Sequence, residues 1–256
     1  MMSFTDTHIH LYAEEFDSDR ETLILEAIQE DVGHFYLPNI DSSSIDGMLR
    51  LEKQFPQNCF AMMGLHPCSV KENWKEEMKI VESWLEKRKF VAIGEMGIDL
   101  YWDKTFVEEQ KEVFRQQILL ANQYSLPVVI HSRDSFEMIY ELLQERPKEG
   151  PCGIFHCFTG NADQAQRAID LGFYLGIGGV LTFKNSGLDK VVENIDLRHL
   201  VLETDAPYLA PTPFRGKRNI PVYLKMIAEK LAMIHGKTLE EIGKITSENA
   251  TKIFTH

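Results

Sequence analysis

The chain has 256 residues, 44% hydrophobic and 26% charged, with 39 acidic against 27 basic side chains and a formal net charge of −12. That composition excludes a disordered or fibrous chain and leaves length for one large core. The acidic balance argues against a broad basic face that wraps duplex DNA, while leaving room for a focal phosphate site.

In chain order, short apolar and β-branched runs predict eight strands, at 4–10, 34–40, 59–66, 90–95, 127–131, 152–158, 173–178 and 199–205. They read as continuous apolar runs, as in a parallel sheet buried on both faces. Helical spacing lies between them. Val107, Phe114, Ile118 and Ala121 mark one face, and Phe136, Ile139, Tyr140 and Leu143 another, opened by Asp134 with Glu137 as a capping box. The strand ends recur every 22 to 36 residues, room for one strand, one helix and two loops. Eight such units predict a TIM (β/α)8 barrel occupying residues 1–256 as a single domain. An open doubly wound sheet is the runner-up, but no G-x-G-x-x-G opens its first turn. The Pro-, Gly- and cation-rich stretch 206–220 is too long for a minimal connection and reads as a functional loop. Two closing helices follow, one ending at Gly236 and one opening at Thr238 with Glu241 as its capping-box partner.

No run of eighteen apolar residues reads as a membrane span, and the start lacks the pattern of a secretory signal. A cytoplasmic, membrane-free protein is expected, with a monomer favoured. Cys59, Cys68, Cys152 and Cys157 form no C-x-x-C pair and suit reduced structural thiols.

His8, His10, His66, His131 and His156 all fall at predicted carboxyl ends of strands, the rim where barrel active sites form. Residues two apart share a strand face, so His8 and His10 project together, Glu95 follows Ile93, His131 follows Val129, His156 follows Ile154, and Asp205 shares its face with Glu203. Imidazoles crowded beside carboxylates are best satisfied by metal. His8, His10, Glu95, His131, His156 and Asp205 are more ligands than one four-coordinate ion with an open water position requires. Two divalent ions are therefore expected, His8, His10 and Asp205 on one, His131 and His156 on the other, with Glu95 bridging and a metal-activated water as nucleophile. Imidazole ligands favour Zn or Mn.

The segments TDTHIH (5–10), GLHP (64–67), IGEMGID (93–99), VIHSR (129–133), FHCFTG (155–160), LETDAPYL (202–209) and RGKRN (215–219) resemble, in order, the motifs of the TatD family across essentially the whole chain. The resemblance implies a metal-dependent hydrolase of the deoxyribonuclease kind, with the same six ligands and with Mg as the metal. Met96 departs from the Thr or Ile frequent in the family, on the strand face away from the site. Many related amidohydrolases bridge their metals with a carboxylated lysine; Glu95 stands at that place here, with Lys89 too early and Lys104 too late.

Around the ligands, Arg133 either grips phosphate or pairs with Asp134 or Glu137. Arg215 and Lys217, beside Tyr208 and Phe214, form a loop able to hold phosphates and stack bases, whereas Arg218 reads as a solvated cation. His66 is a phosphate contact or a support, and Glu203 a buried hydrogen-bonding support. Asp99 and Tyr101 line the pocket, or Asp99 caps a helix. His34, His199, His235 and His256 read as structural or solvent-facing. The expected activity is phosphodiester hydrolysis on single-stranded DNA or strand ends, with Glu95 and Asp205 catalytic and Asp205 accepting the proton of the attacking water. An amidohydrolase or esterase, including one that deacylates RNA, is the alternative, and a non-catalytic nucleic-acid-binding barrel the third.

Overall fold

A computed structural model describes residues 4–145, 150 and 152–254. Within these the chain alternates β1 (Phe4–Asp6), α1 (Arg20–Gln29), β2 (Val32–Leu37), α2 (Ile45–Gln54), β3 (Cys59–Ala61), α3 (Trp74–Lys87), β4 (Ile93–Asp99), α4 (Val107–Tyr124), β5 (Val128–Arg133), α5 (Phe136–Gln144), β6 (Gly153–Phe155), α6 (Ala162–Asp170), β7 (Tyr174–Ile177), α7 (Leu188–Val192) and β8 (Leu200–Leu202). Two further helices, α8 (Leu224–His235) and α9 (Leu239–Ile253), close it. All pairings are parallel, β1 to β3 in one run and β4 to β8 in another. A bridge from Met63 to Ile93 joins the runs, and the Thr7 amide donates to Leu202 O at 3.0 Å, which closes the ring as a (β/α)8 barrel.

Alternation along the strands sorts the core. Tyr36, Met62, Ala92, Val129, Ile154 and Val201 fill the barrel interior, while their neighbours Phe35, Leu37, Val128, Ile130 and Leu200 pack outward against helices. The interior residues of β5, β6 and β8 stand two positions before His131, His156 and Glu203. Parity that builds the core thereby aims the chemistry.

The strands are shorter than the apolar runs. Pairing in β1 stops at Asp6, because beyond it the rim backbone bonds to the loop after β8: Asp205 N to His8 O at 2.9 Å and His10 N to Ala206 O at 2.8 Å. β4 runs the other way, past Glu95 to Asp99, with a register shift against β5 between Ile93 and Met96. The Asp134 capping box does not form. Asp134 has φ of 56°, α5 starts only at Phe136, Ser135 Oγ donates to Ile98 O, and Glu137 pairs with Arg167 at 2.8 Å. The second predicted box does form, with Thr238 and Glu241 exchanging both bonds, and α8 ends on Gly236.

α9 is tied to the barrel by a buried amide. Asn249 Nδ2 donates to Leu197 O and to Leu200 O, both at 2.8 Å. Asn249→Ala strips both carbonyls of a donor that water cannot replace, and roughly 1–3 kcal/mol per unsatisfied buried group predicts a loss of about 2–4 kcal/mol. Thermal unfolding would show a lowered midpoint, with metal content unchanged because α9 contributes no residue to the ligand cluster. The expectation for His256 lies outside the described residues. No described helix is long and apolar enough to cross a membrane.

Candidate metal centre

Glu95 is the hub. Its Oε2 lies 3.2 Å from His8 Nε2 and 3.6 Å from His10 Nε2, and its Oε1 lies 2.8 Å from His156 Nε2, 2.9 Å from His131 Nδ1 and 3.3 Å from His66 Nε2. Asp205 closes the first group, its Oδ1 3.5 Å from His10 Nε2 and 3.8 Å from His8 Nε2. All six predicted ligands therefore meet at one point, from β4, β5 and the segments just beyond β1, β6 and β8. His8, His10, Glu95 and His156 are buried, and Asp205 faces outward slightly more.

Partners on the far side of each ring decide which nitrogen carries the proton. Tyr12 OH donates its single hydrogen to Pro38 O, so at 2.8 Å from His10 Nδ1 it accepts, and His10 Nε2 keeps its lone pair for the centre. His131 Nε2 donates to Asp99 Oδ2 at 2.9 Å, freeing Nδ1. His156 Nδ1 stands 3.4 Å from Glu203 Oε1, which leaves Nε2 facing Glu95. His66 is the reverse case. Its Nδ1 accepts the Cys68 amide at 3.0 Å, so Nε2 carries a proton and His66 is a donor toward the centre rather than a ligand.

These donors fit divalent metal. The Nε2 atoms of His8 and His10 lie 3.3 Å apart, where two lone pairs repel unless a cation or proton joins them, and the buried His8 Nδ1, His156 Nδ1 and Glu203 Oε2 have no hydrogen-bond partner among the described residues. Protons are favoured elsewhere in the cluster, since burial and the neighbouring His156 lower the His8 pKa. Burial opposes charge on His156, but Glu95 and Glu203 outweigh it and raise its pKa well above the ordinary value; Asp99 and Glu95 outweigh burial likewise at His131. Burial also works against the ionised Glu95, yet His156, His66 and His8 hold its carboxyl well below the usual range. Raised histidine pKa values mean that metal must displace protons, so affinity should climb as pH rises and fall on acidification. Calorimetric titration in buffers of different ionisation enthalpy is expected to show proton release near neutral pH.

Two glycines make room. At Gly97, φ is 156° and a Cβ would stand 1.9 Å from His131 O; at Gly176 a Cβ would meet Glu203 Oε2 at 2.2 Å. Glu203 needs that space, since its Oε1 also accepts the Cys157 amide at 2.6 Å. The supporting role expected for Glu203 agrees with these bonds.

Of the residues expected to bind substrate, Tyr208 borders the ligands, its ring 5.8 Å from that of His10. Arg133 pairs with neither Asp134 nor Glu137 but lies over the Tyr101 ring at 3.9 Å. Arg215 and Lys217 stack on Phe183 and Phe214 and touch none of the ligands, and Phe214 is itself spent on Tyr223 at 4.4 Å. Arg218 is no solvated cation; it grips Asp19 at 2.6 Å and donates to Glu15 O, which pins the loop after β8. Asp99 caps no helix, because α4 begins eight positions on, and works on His131 instead. Its parity with Glu95 on β4 was the available signal. Tyr12 carried none in the sequence, and Asn219 only as the end of the 215–219 segment: its Nδ2 donates to Thr204 O and Tyr208 O, both 2.7 Å, and holds the Asp205 segment in place.

A buried imidazole and carboxylate cluster at the carboxyl rim of a (β/α)8 barrel, with its tautomers set for metal, is the arrangement of a metal-dependent hydrolase. The family described as TatD related DNase matches residues 5–255, and the chain belongs to it. It is 42% identical over 250 residues to the uncharacterized metal-dependent hydrolase YabD of Bacillus subtilis (strain 168), covering 97% of this chain and 98% of that one. It is 31% identical over 256 residues to a protein of Pectobacterium parmentieri (strain WPP163) named 3'-5' ssDNA/RNA exonuclease TatD, covering 97% and 98%. The crystal structure of YjjV, a TatD homologue from Escherichia coli K12, superposes with a TM-score of 0.93 at 30% identity over the full length of both chains.

Proposed function

We propose that this hydrolase cleaves phosphodiester bonds in single-stranded nucleic acid or at strand ends, DNA before RNA, with two divalent ions. The observation that carries it is the split of the Glu95 carboxylate, Oε2 toward His8 and His10 and Oε1 toward His131 and His156. A carboxylate shared between two imidazole pairs would hold two ions between those pairs, and paired ions would suit displacement at phosphorus. The name of the Pectobacterium relative supports a nucleic-acid substrate. When bound, Mg, Mn or Zn supplies Lewis acidity and lowers the pKa of water toward neutrality.

The chain's residues do the rest. Asp205 stands beside His8 and His10 and is less enclosed than either. Burial opposes its charge, but His10, His156 and His8 keep it ionised, so it orients the attacking water and takes its proton. His66 presents Nε2–H to charge gathering on a phosphate oxygen. Arg133, exposed at the rim, holds a phosphate by paired hydrogen bonds, and Tyr208 borders the same mouth.

End-labelled single-stranded and duplex oligonucleotides, assayed with added Mg, Mn or Zn beside cyclic amides, lactones and aminoacyl esters, test this. Metal-dependent shortening of the single strands is expected. Turnover of only the amide or ester panel would overturn it in favour of an amidohydrolase or esterase.

A further inference from the structure

Beside the metal centre stands an aromatic pair that the reaction above does not use. Trp102 is 69% exposed and Tyr101 53%, on the loop after β4, with ring centroids 4.9 Å apart and edge-on at 89°. Two large open rings in mutual contact form a contiguous patch rather than scattered exposed residues, and contiguous patches are where contacts form. The Arg133 guanidinium lies 3.9 Å from the Tyr101 centroid and 5.5 Å from that of Trp102. Asp103, the next acid along the loop, is neutralised by Lys71 at 2.7 Å.

The loop is held in register with the metal ligands by one carboxylate. Asp99 Oδ1 accepts the amides of Tyr101 at 2.9 Å and Trp102 at 3.0 Å, and Asp99 Oδ2 accepts from His131 Nε2 at 2.9 Å. The aromatic tip and a metal-facing imidazole are thus two ends of a single side chain, an arrangement that sets a fixed offset between reacting phosphate and stacked ring.

We propose that Trp102, backed by Tyr101 and Arg133, is the stacking platform for an unpaired nucleobase next to the scissile phosphate. This rests on the nuclease reading above. Stacking explains a preference for unpaired strands without base-specific contacts, since every base offers a π-face, and the guanidinium beside the rings takes the adjoining phosphate.

The test uses the full chain, native and Trp102→Leu, with oligothymidylate and the same strand carrying abasic nucleotides at its ends. Trp102 fluorescence, isolated by subtracting the variant's signal, should be quenched by oligothymidylate in chelator and hardly by the abasic strand. With metal, KM for oligothymidylate should rise about 5- to 100-fold in the variant, the range a single stacked base carries. KM for the abasic strand and metal content should stay put. Cleavage with unchanged KM and unchanged preference for bases in the variant overturns the platform but leaves the nuclease reading standing. Quenching without cleavage under any metal supports the platform and sinks the nuclease reading. No quenching by either strand overturns the platform whatever the enzyme cleaves, and points to a protein surface as the occupant.

Discussion

Glu95→Gln is expected to lose at least one metal ion and to reduce kcat/KM by about 10³-fold or more. The amide matches the carboxylate in volume, so the barrel has no reason to repack. It replaces one of the two oxygens that face His8, His10, His131 and His156 with an N–H donor, and it removes the negative charge that draws cations into a buried site. A metal pair contributes several kcal/mol to the transition state, and about 4 kcal/mol corresponds to roughly 10³ in rate. Elemental analysis of dialysed protein reads the stoichiometry. Thermal unfolding supplies an independent reading: metal that binds only the native state raises the midpoint, and the increment between metal-free and metal-loaded variant should shrink relative to native. Two ions and native activity in Glu95→Gln would exclude the bridging role.

Asp205→Asn should separate metal binding from proton transfer. Asp205 occupies the left-handed region at φ of 56°, which Asn tolerates and most residues do not, so the backbone that bonds His8 O and Tyr208 N is undisturbed. His8, His10 and Glu95 still surround the first ligand group. What disappears is a base: a neutral amide cannot take a proton from water. General-base loss is worth roughly 10²–10⁴ in rate, and it should fall on kcat with KM little changed. If kcat falls only in proportion to lost metal, and excess metal restores it, Asp205 is a ligand and not a base.

Most candidate ligands were legible in the sequence because two-residue alternation is a property of any extended backbone; Glu95 is the exception, since Ile93, which it was expected to follow, packs outward, and the irregularity between Ile93 and Met96 turns Glu95 to the interior face of Ala92. Val129 and Ile154 had to turn inward, and so His131 and His156 had to follow. The barrel was legible for a related reason, since regular spacing of apolar runs leaves little choice but repeated βα units. What failed to read were contacts between elements far apart in the chain. Asp134 and Glu137 satisfy the spacing of a capping box, yet Ser135 is claimed by Ile98 O on the neighbouring strand and Glu137 by Arg167 of α6, and local propensity lost to both. Arg218 looked like a solvated cation until the loop after β8 brought it against Asp19.

The sequence by itself therefore determined the barrel and placed five of the six candidate ligands, all but Glu95, on the rim face where the structure gathers them. Only the tertiary structure decided which nitrogen of His10 and His131 is free, that His66 donates rather than ligates, and that Asp99 couples His131 to Trp102. Proton positions depend on the partner behind each ring, and those partners arrive from other turns of the barrel: Pro38 behind Tyr12 and His10, Asp99 behind His131. Periodicity reports the direction in which a side chain points, while the group waiting there is set by closure of the ring.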